Sequence, residues 1–117
     1  KMIKEIKKSD LTDWNYGDVG IKTYSYGDLL AIKDMADING TEIVAKPGYK
    51  DSDVGMMILT AGIHYIRNVD GTGFEIAPGT ANDVKKRLCY MFDAITVYTL
   101  LKSIKELNTP LTEQEKK

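Results

Sequence analysis

The sequence predicts an α+β domain, mainly helical, and three observations carry that reading. Ser25 with Asp28 three residues later opens a helical pattern over about 25–36. The most apolar run, Asp53 to Ile66, has the length of a buried helix of about four turns. Thr80 to Leu107 carries apolar residues at helical spacing with no glycine or proline inside it. Three shorter stretches, about 19–24, 41–46 and 73–77, read as strands.

With 117 residues, the chain suffices for one domain with a single core. Residues 1–9 are read as a basic N-terminal arm, in which a short amphipathic strand or helical turn is also compatible. Residues 108–117 are read as a polar C-terminal tail. Hydrophobic residues at 43% exclude the composition of a disordered chain. Sixteen Lys and Arg against 17 Asp and Glu give a net charge of -1. This balance argues against nucleic acid as the main partner, because phosphate binding shows as a basic excess. The single cysteine, Cys89, excludes an intrachain disulfide framework and fits a reducing compartment such as the cytoplasm. Asp53–Ile66 is too short to span a bilayer, which needs about 20 apolar residues. No membrane segment is expected.

In chain order, Asp10 to Asp18 is irregular, with Trp14 and Tyr16 as docking aromatics. Val19, Ile21 and Thr23 alternate with Gly20, Lys22 and Tyr24, a period of two. Ser25 then caps the first helix by accepting from the Asp28 amide. Asp37 to Gly40 ends that helix, Asn39-Gly40 being a turn signal. Thr41 to Lys46 is a strand stopped by Pro47-Gly48. Ser52 or Asp53 caps the central helix, whose near-complete apolar coat implies packing on several sides. Gly55 and Gly62 each cost about 1 kcal/mol in a helix interior, so another segment is expected to pass close by. Asn68 to Gly73 is a turn, and Gly73 to Ala77 a strand ended by Pro78-Gly79. The long helix allows a break near Arg87–Cys89 and stops at Asn108-Thr109-Pro110.

Residues with chemical potential have simpler roles. His64, the only histidine, has no nucleophile or base in a motif and reads as a core-edge residue. Cys89 lies in an apolar stripe and reads as a small buried hydrophobe. Asn68–Gly71 and Asp37–Gly40 resemble pieces of a calcium loop, but aligning either glycine at the sixth place leaves apolar or basic residues at the first and twelfth. Both are turns. Gly71-Thr72-Gly73 lacks the lysine and spacing of a phosphate loop. Lys85, Lys86 and Arg87 with Lys102 and Lys105 read as a solvated face. No catalytic, cofactor or metal residues are assigned, and the protein is expected not to be an enzyme. The apolar stripe of the last helix is generous for a domain of this size. Met91, Phe92, Ile95, Tyr98, Leu101 and Ile104 are the candidate partner-binding residues.

Two segments suggest a family. Ile21-Lys22-Thr23-Tyr24-Ser25-Tyr26-Gly27-Asp28-Leu29-Leu30-Ala31-Ile32-Lys33-Asp34-Met35-Ala36 and Ile58-Leu59-Thr60-Ala61-Gly62-Ile63-His64-Tyr65-Ile66 lie either side of a strand-and-turn region. With the Asn68–Gly71 turn and the ending Leu107 to Glu113, the chain resembles a tail assembly chaperone of long-tailed bacteriophages over roughly residues 19–113. Members often open with a strand and a Tyr-Gly-Asp-like helix start, then a helix ending in an Asp-Gly turn. Where members often carry a tryptophan before that turn, this chain has Tyr65 or Val69. The resemblance implies a non-catalytic assembly factor that shields tape-measure or tail-tube subunits in the host cytoplasm and then leaves. A small tail or neck component that stays in the virion is the neighbouring expectation. The alternative is a small cytoplasmic binding or regulatory module forming a homo-oligomer through its C-terminal helix.

Overall fold

The computed structural model describes residues 2–12, 15–75, 87–88 and 90–115. Its strands are β1 (Ile3–Ile6), β2 (Tyr16–Lys22), β3 (Ala36–Asn39), β4 (Glu42–Ala45), β5 (Ile63–Asn68) and β6 (Gly73–Glu75). Its helices are α1 (Tyr26–Met35), α2 (Asp51–Gly62) and α3 (Ala94–Glu115), with a 3-10 turn at Lys8–Asp10. The domain is α+β but not mainly helical, which corrects the sequence reading. An antiparallel sheet in the order β1-β2-β5-β6 forms one layer, and β3 and β4 make a separate ribbon.

The first helix follows its sequence signals. Ser25 Oγ accepts from the Asp28 amide at 3.1 Å, and Leu29 and Ile32 face the core. The segment after it was expected to be a turn but is strand β3, paired with β4 from Ala36↔Ala45 to Asn39↔Glu42. Two residues, Gly40 and Thr41, close this hairpin. Gly40 carries φ 65° at the first loop position, the pattern of a type II′ turn. The chain after Ala45 turns at Pro47-Gly48, where the Tyr49 amide donates to the Lys46 carbonyl at 3.1 Å and Gly48 takes φ 92°. Lys46 Nζ donates to the Lys33 carbonyl at 2.7 Å and fastens the ribbon to α1.

The central helix ends four residues earlier than expected. It stops at Gly62, and Ile63–Asn68 is strand β5. Its N-cap is Lys50, without a side-chain cap, and the acids Asp51 and Asp53 sit in the first turn. The physical cause of the early end is register. Val19 pairs with Ile66 and Gly20 with Tyr65, but Ile21 pairs with Ile63. One extra residue on β5, His64, therefore forms a β-bulge. It lets Ile63 and Ile66, three residues apart, both reach the core face, and both are fully buried. That spacing of three is also the spacing of a helix, so the pattern alone misreads it. A second irregularity lies at Gly17–Asp18. A Cβ at Gly17 would sit 2.6 Å from the Asn68 carbonyl oxygen.

Within the expected long helix over 80–107, Arg87, Leu88, Tyr90 and Met91 are helical, but the break falls at Phe92–Asp93 and not at Arg87–Cys89. α3 begins at Ala94, where Asp93 Oδ1 accepts from the Thr96 amide at 2.7 Å and the Val97 amide donates to the Asp93 carbonyl at 3.1 Å. Asp93 thus caps a new helix. Residues 80–86 and Cys89 lie outside the described residues, as do 76–77 of the expected third strand. At the other end the helix does not stop at Asn108-Thr109-Pro110 but continues to Glu115 with Pro110 inside it. Pro110 offers no N–H to the Glu106 carbonyl. The two preceding side chains supply local bonds instead: Asn108 Nδ2 to the Ile104 carbonyl at 2.9 Å and Thr109 Oγ1 to the Lys105 carbonyl at 2.9 Å.

Helices α2 and α3 pack against one another and against the inner face of the sheet, and α1 packs on α2. Val19, Ile21, Ile63 and Ile66 from the sheet meet Leu59 from α2 and Ile104 from α3 in one core. A Cβ at Gly62 would fall inside the Ile104 side chain, whereas one at Gly55 would lie 3.8 Å from Leu101 Cδ1. The expected close approach therefore belongs to Gly62. Asn108, 1% exposed, ties α3 to the end of β2: its Oδ1 accepts from the Tyr24 amide at 2.8 Å and its Nδ2 reaches the Lys22 carbonyl at 3.3 Å.

Candidate functional site

The six residues expected to bind a partner do not form one surface. Phe92 and Ile104 are buried in the core, and Met91 and Leu101 are half-buried against it. Phe92 packs edge-on against Tyr16, with ring centroids 5.4 Å apart. Ile95 and Tyr98 are 62% and 71% exposed. A separation of three places them side by side on α3. Asp93 and Thr12 hold this end of the helix in position, Thr12 Oγ1 donating to Asp93 Oδ1 at 2.8 Å. Tyr90, just before the cap, is the most exposed large apolar residue described, at 90%. Charged Lys102 follows Tyr98 one turn later and is exposed. Over residues 94–110, the exposed large apolar side chains of α3 are thus confined to its first two turns.

A second constellation, absent from the sequence reading, lies on the outer face of the sheet. Cross-strand pairing sets Glu5, Gly20, Tyr65 and Glu75 in one row from β1 to β6. Gly20 has no side chain, so the Tyr65 ring lies across it, where a Cβ would collide with the ring. The Tyr65 hydroxyl thereby reaches over β2 and donates to Glu5 Oε2. Arg67 Nε approaches the same oxygen at 3.4 Å, and its guanidinium stands 4.8 Å from the centre of the Tyr65 ring. Lys7 Nζ donates to Glu5 Oε1 at 2.7 Å and lies 3.7 Å from Asp18 Oδ2.

Donors around Glu5 favour its charged form. The Lys7 ammonium, then the Tyr65 hydroxyl and the Arg67 guanidinium, lower its pKa from 4.5 to about 2. Hydrogen bonding to Glu5 raises Lys7, Tyr65 and Arg67 in return. Every member is thus held in its usual charge state near neutrality. A carboxylate with so low a pKa is a poor general base, and a tyrosine pushed up is a poor acid. The arrangement is suited to holding strands together rather than to moving protons.

His64 does not lie on a helix. It is the bulged residue of β5, half-exposed, and its ring stacks on Tyr65 with centroids 5.9 Å apart. Asn68–Gly71 is a turn, as expected: Asp70 Oδ1 accepts from the Thr72 amide at 3.0 Å and from its hydroxyl at 2.7 Å. Those bonds lower the Asp70 pKa. Among the described residues no group of three or more His, Cys, Asp or Glu could hold a metal ion, and no helix is long and apolar enough to cross a membrane. The signal that could have revealed the outer row is Gly20 inside an alternating strand, since such a glycine marks a close approach. Glu5, sixty positions from Tyr65, carries no sequence signal. No family model, no curated protein and no solved structure matches this chain.

Proposed function

We propose that the protein is non-catalytic and acts through protein–protein contacts made by the first two turns of α3. The observation that carries this reading is the pair Ile95 and Tyr98, exposed and adjacent on a helix whose Val97, Leu100, Leu101, Ile104 and Leu107 lie in or against the core. An aromatic beside a branched aliphatic residue is suited to anchor a partner, because both lose much water-exposed area and little conformational freedom on binding. The biological setting proposed is bacteriophage tail assembly in the host cytoplasm, with a tape-measure or tail-tube subunit as partner. Strand β2 followed by the Ser25-capped helix supports it. The helix that the family pattern runs into its Asp-Gly turn does not, since β5 occupies that place.

Gene order and one binding experiment test this together. The reading expects a tail-tube gene upstream and a very long gene downstream. Co-expression with the two neighbouring products is expected to yield a complex that Ile95→Glu with Tyr98→Glu abolishes at unchanged melting temperature. Absence of such neighbours, or a complex indifferent to both changes, overturns the tail-assembly reading. Concentration-dependent self-association lost in the same double variant would favour the alternative, a small cytoplasmic module that pairs with itself through this helix.

A further inference from the structure

We propose that β1 is a releasable edge strand, latched to the sheet by the Glu5 side chain and opening as a unit while the rest of the domain stays folded. Three features of the structure lead there. First, β1 has a single ladder partner, β2, and no described strand lies beyond it. Second, it is weakly anchored in the core. Ile6 is buried, but Met2 and Ile3 are more than half exposed, whereas Val19 and Ile21 opposite are fully buried. Third, its side-chain ties to β5 converge on one residue. Tyr65 and Arg67 of β5 both grip Glu5 across the gap left by Gly20, and Lys7 closes on the other carboxylate oxygen. At one end the Met2 amide donates to Thr23 Oγ1 and at the other the Lys8 amide donates to Asp18 Oδ1, and both bonds must break in the same event.

The ladder specifies what opening looks like. The Thr23 amide donates to the Met2 carbonyl. In an antiparallel pair the mutually bonded positions alternate, so Lys4 with Ile21 and Ile6 with Val19 are the next two. Release of β1 therefore frees, besides the Thr23 amide at its end, four ladder amides together: Lys4, Ile6, Val19 and Ile21. The same alternation turns the Gly20 amide the other way, toward Tyr65 of β5. Gly20 and Tyr65 stay bonded when β1 leaves. Low-stability units of this kind exchange amide hydrogens without global unfolding.

Native-state hydrogen exchange followed by NMR on the intact chain tests the proposal. The amides of Lys4, Ile6, Val19 and Ile21 are expected to exchange at one common opening rate, at least roughly tenfold faster than Gly20 and Tyr65. Glu5→Gln is expected to accelerate the first set by roughly three- to tenfold and to leave the second set unchanged. Tyr65→Phe, which keeps the ring on Gly20 and removes one donor, is expected to give a smaller acceleration of the same four. Exchange of all six amides through one shared opening overturns the proposal, as does equal acceleration of both sets by Glu5→Gln. Should Glu5→Gln not fold, the pattern in the unaltered chain and in Tyr65→Phe decides.

Discussion

The two faces of the four-stranded sheet are held by different physics, and two glycines show how. On the inner face Gly62, at the end of α2, makes room for Ile104, a β-branched side chain fixed on α3 and fully buried. On the outer face Gly20 makes room for the Tyr65 ring, which is half-exposed and turns about two torsions. Filling the first space strains a close-packed interior that cannot give. Filling the second displaces one adaptable ring and unmakes polar contacts that water can replace. The inner face therefore governs global stability, and the outer face governs how firmly the edge is attached.

Four substitutions and one control break or sharpen this contrast. The largest effect is expected at Asn108, where α3 meets β2. Asn108→Ala leaves the buried Tyr24 amide and Lys22 carbonyl without their partner. At about 1–3 kcal/mol for each unsatisfied buried group, a loss of about 3 kcal/mol is expected in urea titration. Gly62→Leu comes next, with about 1–3 kcal/mol lost through overpacking against Ile104. Gly55→Ala, with Leu101 at ordinary contact distance, is expected to hold or raise the melting temperature and is its control. A melt unchanged in Gly62→Leu would show that α2 and α3 do not cross where described.

The third prediction concerns acid. Glu5 has a folded-state pKa below its ordinary value, so the carboxylate is favoured by folding. Its contribution is whole above about 4.5 and is lost as pH falls toward about 2. The stability difference between the unaltered chain and Glu5→Gln is expected to shrink across that window and to be flat above it. A difference that instead grows toward low pH would contradict the tie to Lys7, Tyr65 and Arg67. The smallest effect is expected at Tyr24, whose hydroxyl is buried with no hydrogen-bond partner among the described residues and whose pKa is raised by that burial. Tyr24→Phe removes an uncompensated polar group and is expected to leave stability unchanged or raise it by up to about 1 kcal/mol. A loss beyond that would mean that the hydroxyl is satisfied in solution.

The parts legible in the sequence are those written in local backbone chemistry. Ser25 with Asp28, Pro47-Gly48 and Asp70-Gly71 each specify a cap or a turn within four residues, and each stands where its chemistry puts it. Elements whose pattern depends on a distant neighbour were misread. Ile63 and Ile66 imitate a helical repeat because a bulge, visible only once β2 lies alongside, brings both inward. Pro110 signals a helix end, yet Asn108 and Thr109 bond back to the preceding turn and α3 continues. The apolar stripe of α3 was legible as a stripe. Which of its members face outward depends on where β2 and α2 press against it, so Phe92 and Ile104 could not be told from Ile95 and Tyr98 by spacing.

The residue inserted at His64 changes the phase of the chain. Before it, Ile63 follows directly from the helix end at Gly62; after it, the strand resumes with inside and outside exchanged. Remove one residue there and either the aliphatic pair or the tyrosine must face the wrong medium. The stretch from 62 to 66 is therefore where this domain is least able to absorb a deletion, although both its polar side chains, His64 and Tyr65, are half open to water.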